Sequence, residues 1–322
     1  MRWLRKRATD KPAKPRNRKR QAIIGICLLA VVIAAGLYLS SGSFADRVRL
    51  KVIADLEEIT GGRVELKNFR WNLAKLEFEA DDLTIHGLEP PGEVPYAHAD
   101  HLAIQVKIIS LFSREIGLHY VGLDRPVIHI MVLADGSTNQ PVPKVEREKK
   151  GSAVEELFRL AMDRFDLRDG VLLWNDQRLP FDLAGEQMKS TITYNPAANQ
   201  YDGKVEVGRL NTTYKTYAPV VSSASVEFSL RSSLIEVQSL KWSAGDSSFA
   251  ATGVLKDFDD PHVTLGYRAL LDLRQAAEVL HYPPLRGGKL EVNGRGEYNL
   301  KDFSSSGHVN LRDLQYEDAA LH

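Results

Sequence analysis

From Gly62 onward, apolar and polar residues alternate with period two in short runs separated by turn residues. No other feature constrains the fold as strongly, because successive side chains of a strand point to opposite faces of its sheet. Val64 and Leu66 alternate with Arg63 and Glu65; Leu76 and Phe78 alternate with Glu77 and Glu79. Leu83 and Ile85 flank Thr84, and Leu102, Ile104 and Val106 continue the pattern. Asn68, Gly87, Pro90-Pro91-Gly92 and Gly122 read as turns, and Val127–Leu133 reads as a near-continuous apolar strand. Further along, Val205 and Val207, then Val226, Phe228 and Leu230, then Ile235 and Val237, repeat the alternation. Val263 and Leu265, Leu290 and Val292, and Val309 and Leu311 bring it to the last residues. Gly253, Gly287-Gly288, Gly294, Gly296 and Gly307 read as punctuation between strands.

Helical periodicity is scarce. Ser43, with Asp46 as its capping-box partner, is expected to open an amphipathic helix. Phe44, Val48, Val52, Leu56 and Ile59 would share one face, and Gly61-Gly62 would stop it. It would either lie on lipid headgroups or plug the end of the sheet; its mixed charges favour the plug. Asp135–Gly151 is polar, charged and proline-containing, which predicts a mobile linker. Ser152 and Glu155 would cap a second helix bearing Val154, Leu157, Phe158, Ala161 and Phe165 on one face, and Leu273–Leu280 a third. Three short helices cannot cover so many strands. The apolar rows must face each other in a sandwich or barrel, or face a lipid.

Charge is segregated. Residues 1–20 hold ten Lys or Arg and one acidic residue, Asp10, although the whole chain is formally neutral. Ala22–Leu39 follows without a charge, and as a helix would span about 27 Å, near the hydrocarbon thickness of a bilayer. A basic flank before the run and Ser, Gly and Ala after it predict an N-terminus inside and the bulk exported. A cleaved signal peptide is the competing reading, opposed by the long apolar run, the long basic tail, and bulky Tyr38 and Leu39 at the would-be cleavage site. The basic tail lacks the interleaved aromatics of a nucleic-acid arm. Cys27 is the sole cysteine, so neither an intramolecular disulfide nor a cysteine-built zinc site can form.

Chemistry-bearing motifs are weak. His98-Ala99-Asp100-His101, with His119 and His129, has residue types that zinc accepts, but a solvated polar connection is the simpler reading. No G-x-S-x-G elbow occurs, and Gly294-Arg295-Gly296 lacks the third glycine and following helix of a dinucleotide loop. Nothing selects a glycosidase-like carboxylate pair from the many acidic residues. The expectation is a protein without catalytic, cofactor-binding or metal-binding residues.

The order of features resembles the AsmA-like family, and within it the N-terminal part of TamB-type proteins. The phrases that carry the likeness are Thr60-Gly61-Gly62-Arg63-Val64-Glu65-Leu66 after the apolar run, Leu83-Thr84-Ile85-His86-Gly87, Val121–Ile130 followed by Asp135-Gly136-Ser137-Thr138-Asn139, Phe165–Asp176, and Pro284–Val292. The resemblance implies a transmembrane helix followed by an antiparallel sheet curled into an elongated, open, hydrophobically lined β-groove. It implies phospholipid movement between inner and outer membranes, or alternatively a periplasmic scaffold for outer-membrane or secreted protein assembly. A membrane-anchored envelope enzyme is the third class. On this reading residues 1–20 are a cytoplasmic tail, 21–40 the membrane helix, 41–62 the amphipathic helix and 63–133 a first β region. Residues 134–151 are then the linker and 152–322 the helix and continuing groove. The alternating apolar residues named above are the candidate lining. The partners are phospholipid, the inner membrane and an outer-membrane β-barrel reached through further C-terminal chain, since alternation is still running where the sequence stops; nucleic acid is not expected.

The topology is testable by impermeant thiol labelling of Asp10→Cys and Thr138→Cys, each in a Cys27→Ser background. In intact spheroplasts position 138 should label and position 10 should not; the reverse result removes the predicted orientation.

Overall fold

The computed structural model describes residues 29–30, 33, 37–38, 41–72, 75–107, 117–143, 154, 158, 161–317 and 319–321. Most of the proposed anchor and all of the basic tail lie outside the described residues. Residues 29, 30, 33, 37 and 38 are helical. No helix among the described residues is long and apolar enough to cross a membrane.

The chain is mostly β. Helix α1 covers Gly42–Thr60, followed by β1 (Arg63–Asn72), β2 (Glu77–His86), β3 (Ala97–Val106), β4 (Leu118–Asp124) and β5 (Val127–Val132). Then come β6 (Arg164–Asp176), β7 (Phe181–Asn195), β8 (Gln200–Tyr214), β9 (Val220–Arg231), β10 (Leu234–Ala244), β11 (Ser247–Lys256) and β12 (His262–Asp272). Helix α2 (Leu273–Leu280) precedes β13 (Leu285–Tyr298), β14 (Phe303–Tyr316) and the short β15 (Ala319–Leu321). All fifteen strands belong to one sheet, in nearly sequential order. Short connections between consecutive strands make this meander the local solution for a chain of alternating segments.

The sheet departs from a pure antiparallel meander at one place. β6 runs parallel to both β4 and β5, with Val121 opposite Phe165 and Ile128 opposite Leu172. The expected first and second β regions are therefore one sheet. Phe165, expected on a helix, is a strand residue opposite Ile192. Residues 154 and 158 are helical, but the chain has left that state by Ala161, whose positive φ of 44° turns it toward β6.

Two ends of the expected linker differ. Residues 144–151 lie outside the described residues, whereas Asp135–Asn139 is held. Asp135 Oδ1 accepts from the Ser137 N–H and hydroxyl, closing a tight turn. Asn139 is 2% exposed. Its Nδ2 donates to the His129 carbonyl (2.8 Å), its Oδ1 accepts from the Met131 N–H (2.9 Å), and its carbonyl accepts from the Leu88 N–H (2.7 Å). One amide side chain thus stands in for a strand along β5. A polar, turn-rich composition concealed it because the burial comes from strands distant in sequence.

Helix α1 ends at Thr60, as the Gly61-Gly62 stop predicts, and Gly61 takes φ 78°. Its start differs: the Phe44 N–H donates to Ser41 Oγ (3.3 Å), so Ser41 rather than Ser43 caps it. Helix α2 matches its expected range and has Asp272 as its cap, accepting from the Gln275 N–H (3.0 Å).

Replacing Asn139 with Ala would leave the Met131 N–H and His129 carbonyl without their partner while buried. The expected cost is about 2–4 kcal/mol of unfolding free energy, measured by urea denaturation, against less than about 1 kcal/mol for Gln140→Ala on the exposed neighbouring residue.

Candidate functional site

Residues directly opposite one another on paired strands share a face, so the register carries a face assignment across the sheet. Val64 and Leu66 oppose Ile85 and Leu83, and Phe78 opposes Ile104. Leu102 leads to Leu123, and Leu123 to Leu167. Phe165 reaches Ile192, which opposes Gly203; Gly203 opposes Phe228 and Phe228 opposes Val237. Val237 opposes Gly253, then Leu265, then Gly296. Val292 opposes Val309 and Leu290 opposes Leu311. One face therefore stays apolar from β1 to β14, while residues such as Lys204, Glu206, Glu227, Arg268 and Glu291 occupy the other.

Strict alternation alone would not achieve this. In β7, Phe181, Leu183 and Gly185 are on the apolar face, and so are Met188, Ser190 and Ile192: the phase slips by one residue. Gln187, with φ 54°, makes the slip, and β8 slips opposite it between Val207 and Leu210. Asp82 (φ 61°) does the same in β2 and Asp169 (φ 53°) in β6. Each extra residue bends its strand and returns the apolar row to the same side.

Of the predicted lining residues, only Leu76 is outside a strand. It has φ 49° and its carbonyl accepts from the Val106 N–H (3.0 Å) in the β1–β2 turn. The others share the apolar face. Sequence reading missed Phe69, Trp71, Leu172, Trp174, Leu210, Leu240, Trp242 and Phe249, which join that face only after a slip or on strands of mixed composition. A polar residue flanked by two out-of-phase apolar runs, as at Gln187, is the signal that would have found several of them.

Gly87 and Gly92 lie in the β2–β3 connection as expected, but several glycines read as punctuation between strands lie within them. Gly253, Gly294, Gly296 and Gly307 are all interior positions on the apolar face. A methyl group on Gly203 would fall 2.4 Å from Phe228 Cζ, and one on Gly294 would fall 2.6 Å from the Tyr267 hydroxyl. These aromatic rings lie over glycine backbone on the neighbouring strand, which explains the glycines without any phosphate loop.

Cover on the apolar face is local. Tyr201 is fully buried, its ring 5.0 Å from Phe158 and 5.1 Å from Tyr194, and burial pushes its phenol up to about 12. Leu273 and Ala277 of α2 are buried where that helix meets β13. Elsewhere the apolar side chains are mostly half-buried, and toward the last strands they are open: Phe303 is 69% exposed, Val309 68% and Leu311 47%. No second sheet layer is found among the described residues.

Two recesses lie on the opposite, polar face. One, of about 680 Å³, has a floor of Gly208, Ser223, Ser225, Ser243, Ser248 and Ala250 between Lys189, Glu206 and Lys241. The other, of about 590 Å³, is bordered by Glu236, Thr252, Thr264, Arg295 and Glu297. The Ser223 and Ser243 hydroxyls bond each other (3.0 Å), and neither recess is lined by histidine or cysteine.

The histidines do not converge. His98 and His101 sit within β3, not in a connection, and each is committed to a different carboxylate. His98 Nε2 meets Asp100 Oδ1 (2.9 Å), and His101 Nδ1 meets Asp81 Oδ1 (2.8 Å). These bonds, aided by Arg125 and Arg70 respectively, hold both carboxyls below the usual range. His119 pairs with Asp163 (2.8 Å), and buried His129 meets the Val94 carbonyl and Asn175. No group of three metal-ligating side chains occurs among the described residues.

Gln187 allows the phase slip to be tested. Gln187→Gly should be neutral or stabilise by a few tenths of a kcal/mol, while Gln187→Val, branched at a left-handed position, should cost about 1–2 kcal/mol in urea denaturation. Equal effects would show that the slip does not depend on this residue.

Compared with known proteins, the chain matches no protein-family model and no curated protein sequence.

Proposed function

We propose that the apolar face of the sheet solvates phospholipid acyl chains and conducts them between the inner and outer membranes, the chain being held at the inner membrane by residues 21–40. The observation that carries this reading is an apolar face running through successive strands with no second layer over it among the described residues, open to the surroundings at Phe303, Val309 and Leu311. An ordinary soluble sheet buries such a face against a helix layer or another sheet. An apolar face that is only half-buried along the sheet and open toward the last strands suits an apolar ligand or partner.

The energetics suit a lipid. A two-chain phospholipid has roughly thirty methylenes, each worth about 0.8 kcal/mol on leaving water, so its passage through water would cost on the order of 20 kcal/mol. A continuous apolar surface removes most of that barrier without a chemical step. Strands of ten to fifteen residues, such as β7 and β8, are long enough to underlie an extended acyl chain. The polar face, carrying pairs such as Lys204–Glu206 (2.7 Å), is suited to water.

Phe228→Asp, Val237→Asp and Leu265→Asp place a carboxylate on the face. In a closed core each would cost several kcal/mol and unfold the domain. On an open face the carboxylate stays hydrated. We expect each purified variant to retain a cooperative thermal transition, with loss below about 2 kcal/mol, while lipid capture by a photo-crosslinker at Val226 falls severalfold. Unfolding of all three would replace the groove with a closed core. Unchanged capture in folded variants would remove these residues from the lipid path.

A further inference from the structure

The two ends of strands β9–β13 differ. At one end lies α2, whose course is fixed by contacts with several strands. A methyl group on Gly288 of β13 would fall 3.1 Å from Leu273 Cδ1, so the start of the helix packs on that strand. Gln275 Oε1 accepts from the hydroxyl of Ser247, the first residue of β11 (2.9 Å). The Val279 carbonyl accepts from the Ala218 N–H in the β8–β9 connection (3.0 Å). The helix therefore runs from β13 past the start of β11 to the turn before β9, across the ends of the strands between. It takes the apolar side. Ala244 opposes Ser247 two residues beyond the Trp242–Phe249 pair, so both share the face of Trp242. There Ala244 is 2% exposed and Ser247 3%.

The opposite ends of these strands are joined only by the short β9–β10, β11–β12 and β13–β14 hairpins. Each hairpin carries an exposed cation: Arg231, Lys256 and Lys301. Exposed Asp259, Asp260 and Asp302 share two of the turns, so this end presents both signs of charge. Between the two ends, the face of β11 that bears Phe249, Ala251, Gly253 and Leu255 spans about 26 Å from Ser247 to Leu255, at ~3.3 Å per residue. That exceeds the ~15 Å that the chains of one leaflet occupy in a ~30 Å hydrocarbon core.

We infer that the phospholipid lies along these strands in one orientation, its acyl ends against α2 and a zwitterionic headgroup at the hairpins. The inference rests on the reading of the apolar face as a lipid path. A chain terminus must be shielded from water, which α2 does at its end. A headgroup must stay hydrated and meet opposite charge, which only the hairpin end offers: cations for the phosphate and carboxylates for the ammonium.

The test uses the full chain in detergent with two photoactivatable phosphatidylcholines, one carrying a diazirine at the end of an acyl chain and the other on the quaternary ammonium. Crosslinked peptides are located by mass spectrometry. The chain-end probe should label residues 271–280, and the headgroup probe residues 231–234, 256–262 and 298–303. Arg231→Glu combined with Lys256→Glu and Lys301→Glu should leave the circular dichroism spectrum unchanged and cut headgroup labelling of the hairpins about fivefold. The reverse pattern, equal labelling of both ends by either probe, or headgroup labelling indifferent to the triple variant would overturn the orientation. Labelling by neither probe would sink the lipid path itself, and the orientation with it.

Discussion

The organisation of this protein rests on keeping apolar side chains on one side of a very wide sheet. A strand presents a new face at every residue, so one unplanned slip would turn half of its apolar row into water. Here slips are used deliberately. Asp82, Asp169 and Gln187 adopt left-handed backbone geometry where two apolar runs are out of phase, and the sheet bends without losing its two-faced character. Glycine is the usual residue for such geometry, yet these positions carry polar side chains that remain on the hydrated face. Asp82, for example, bonds Lys67 there (3.2 Å).

That constraint explains why so little of the molecule is a conventional core. Among the described residues the buried apolar side chains are few and scattered: Val64 and Leu66 at the first strand, Ala80, Ala99 and Val132 further along, Met162, Tyr201 and Leu230, then Ala244, and Leu273 and Ala277 at α2. Between them stability comes from ladder hydrogen bonds and cross-strand side-chain packing, including the rings of Phe228 and Tyr267 over glycine backbone. Each such pair contributes modestly, so the sheet depends on their repetition. It also depends on its first edge, where Glu57 and Arg49 of α1 bond the backbone of β1.

The polar face accounts for the titratable groups that invite a catalytic reading. Asp81, Asp100 and Asp163 are each tied to a histidine and to a cation, through Arg70, Arg125 and Lys107 respectively. Arg70 and His101 reach Asp81 across strands, while His98 meets Asp100 within β3, and all lie along a hydrated surface. Their carboxyls lie below ordinary values because charge and hydrogen bonding favour the ionised form, so their contribution to stability is present above the usual carboxylate pKa and is lost as pH falls through the lowered one.

Period two in the sequence was enough to establish a mostly β protein and to select Val205, Phe228, Leu265, Val309 and their companions as one face, because alternation is a local property of extended backbone. Helix α2 and the C-terminal end of α1 were equally legible, since caps and glycine stops act within a few residues. What alternation cannot report is its own interruption. The slips at Asp82, Asp169 and Gln187 depend on a neighbouring strand to hold a left-handed residue, and so the membership of Phe69, Trp174 and Trp242 was decided only in the sheet. The parallel junction at β6, the burial of Asn139 and the separation of His98 from His101 were likewise set by contacts between distant segments. Whether an apolar row is covered is the extreme case: the same residues would suit a sandwich, and only the arrangement of strands leaves them uncovered along β14.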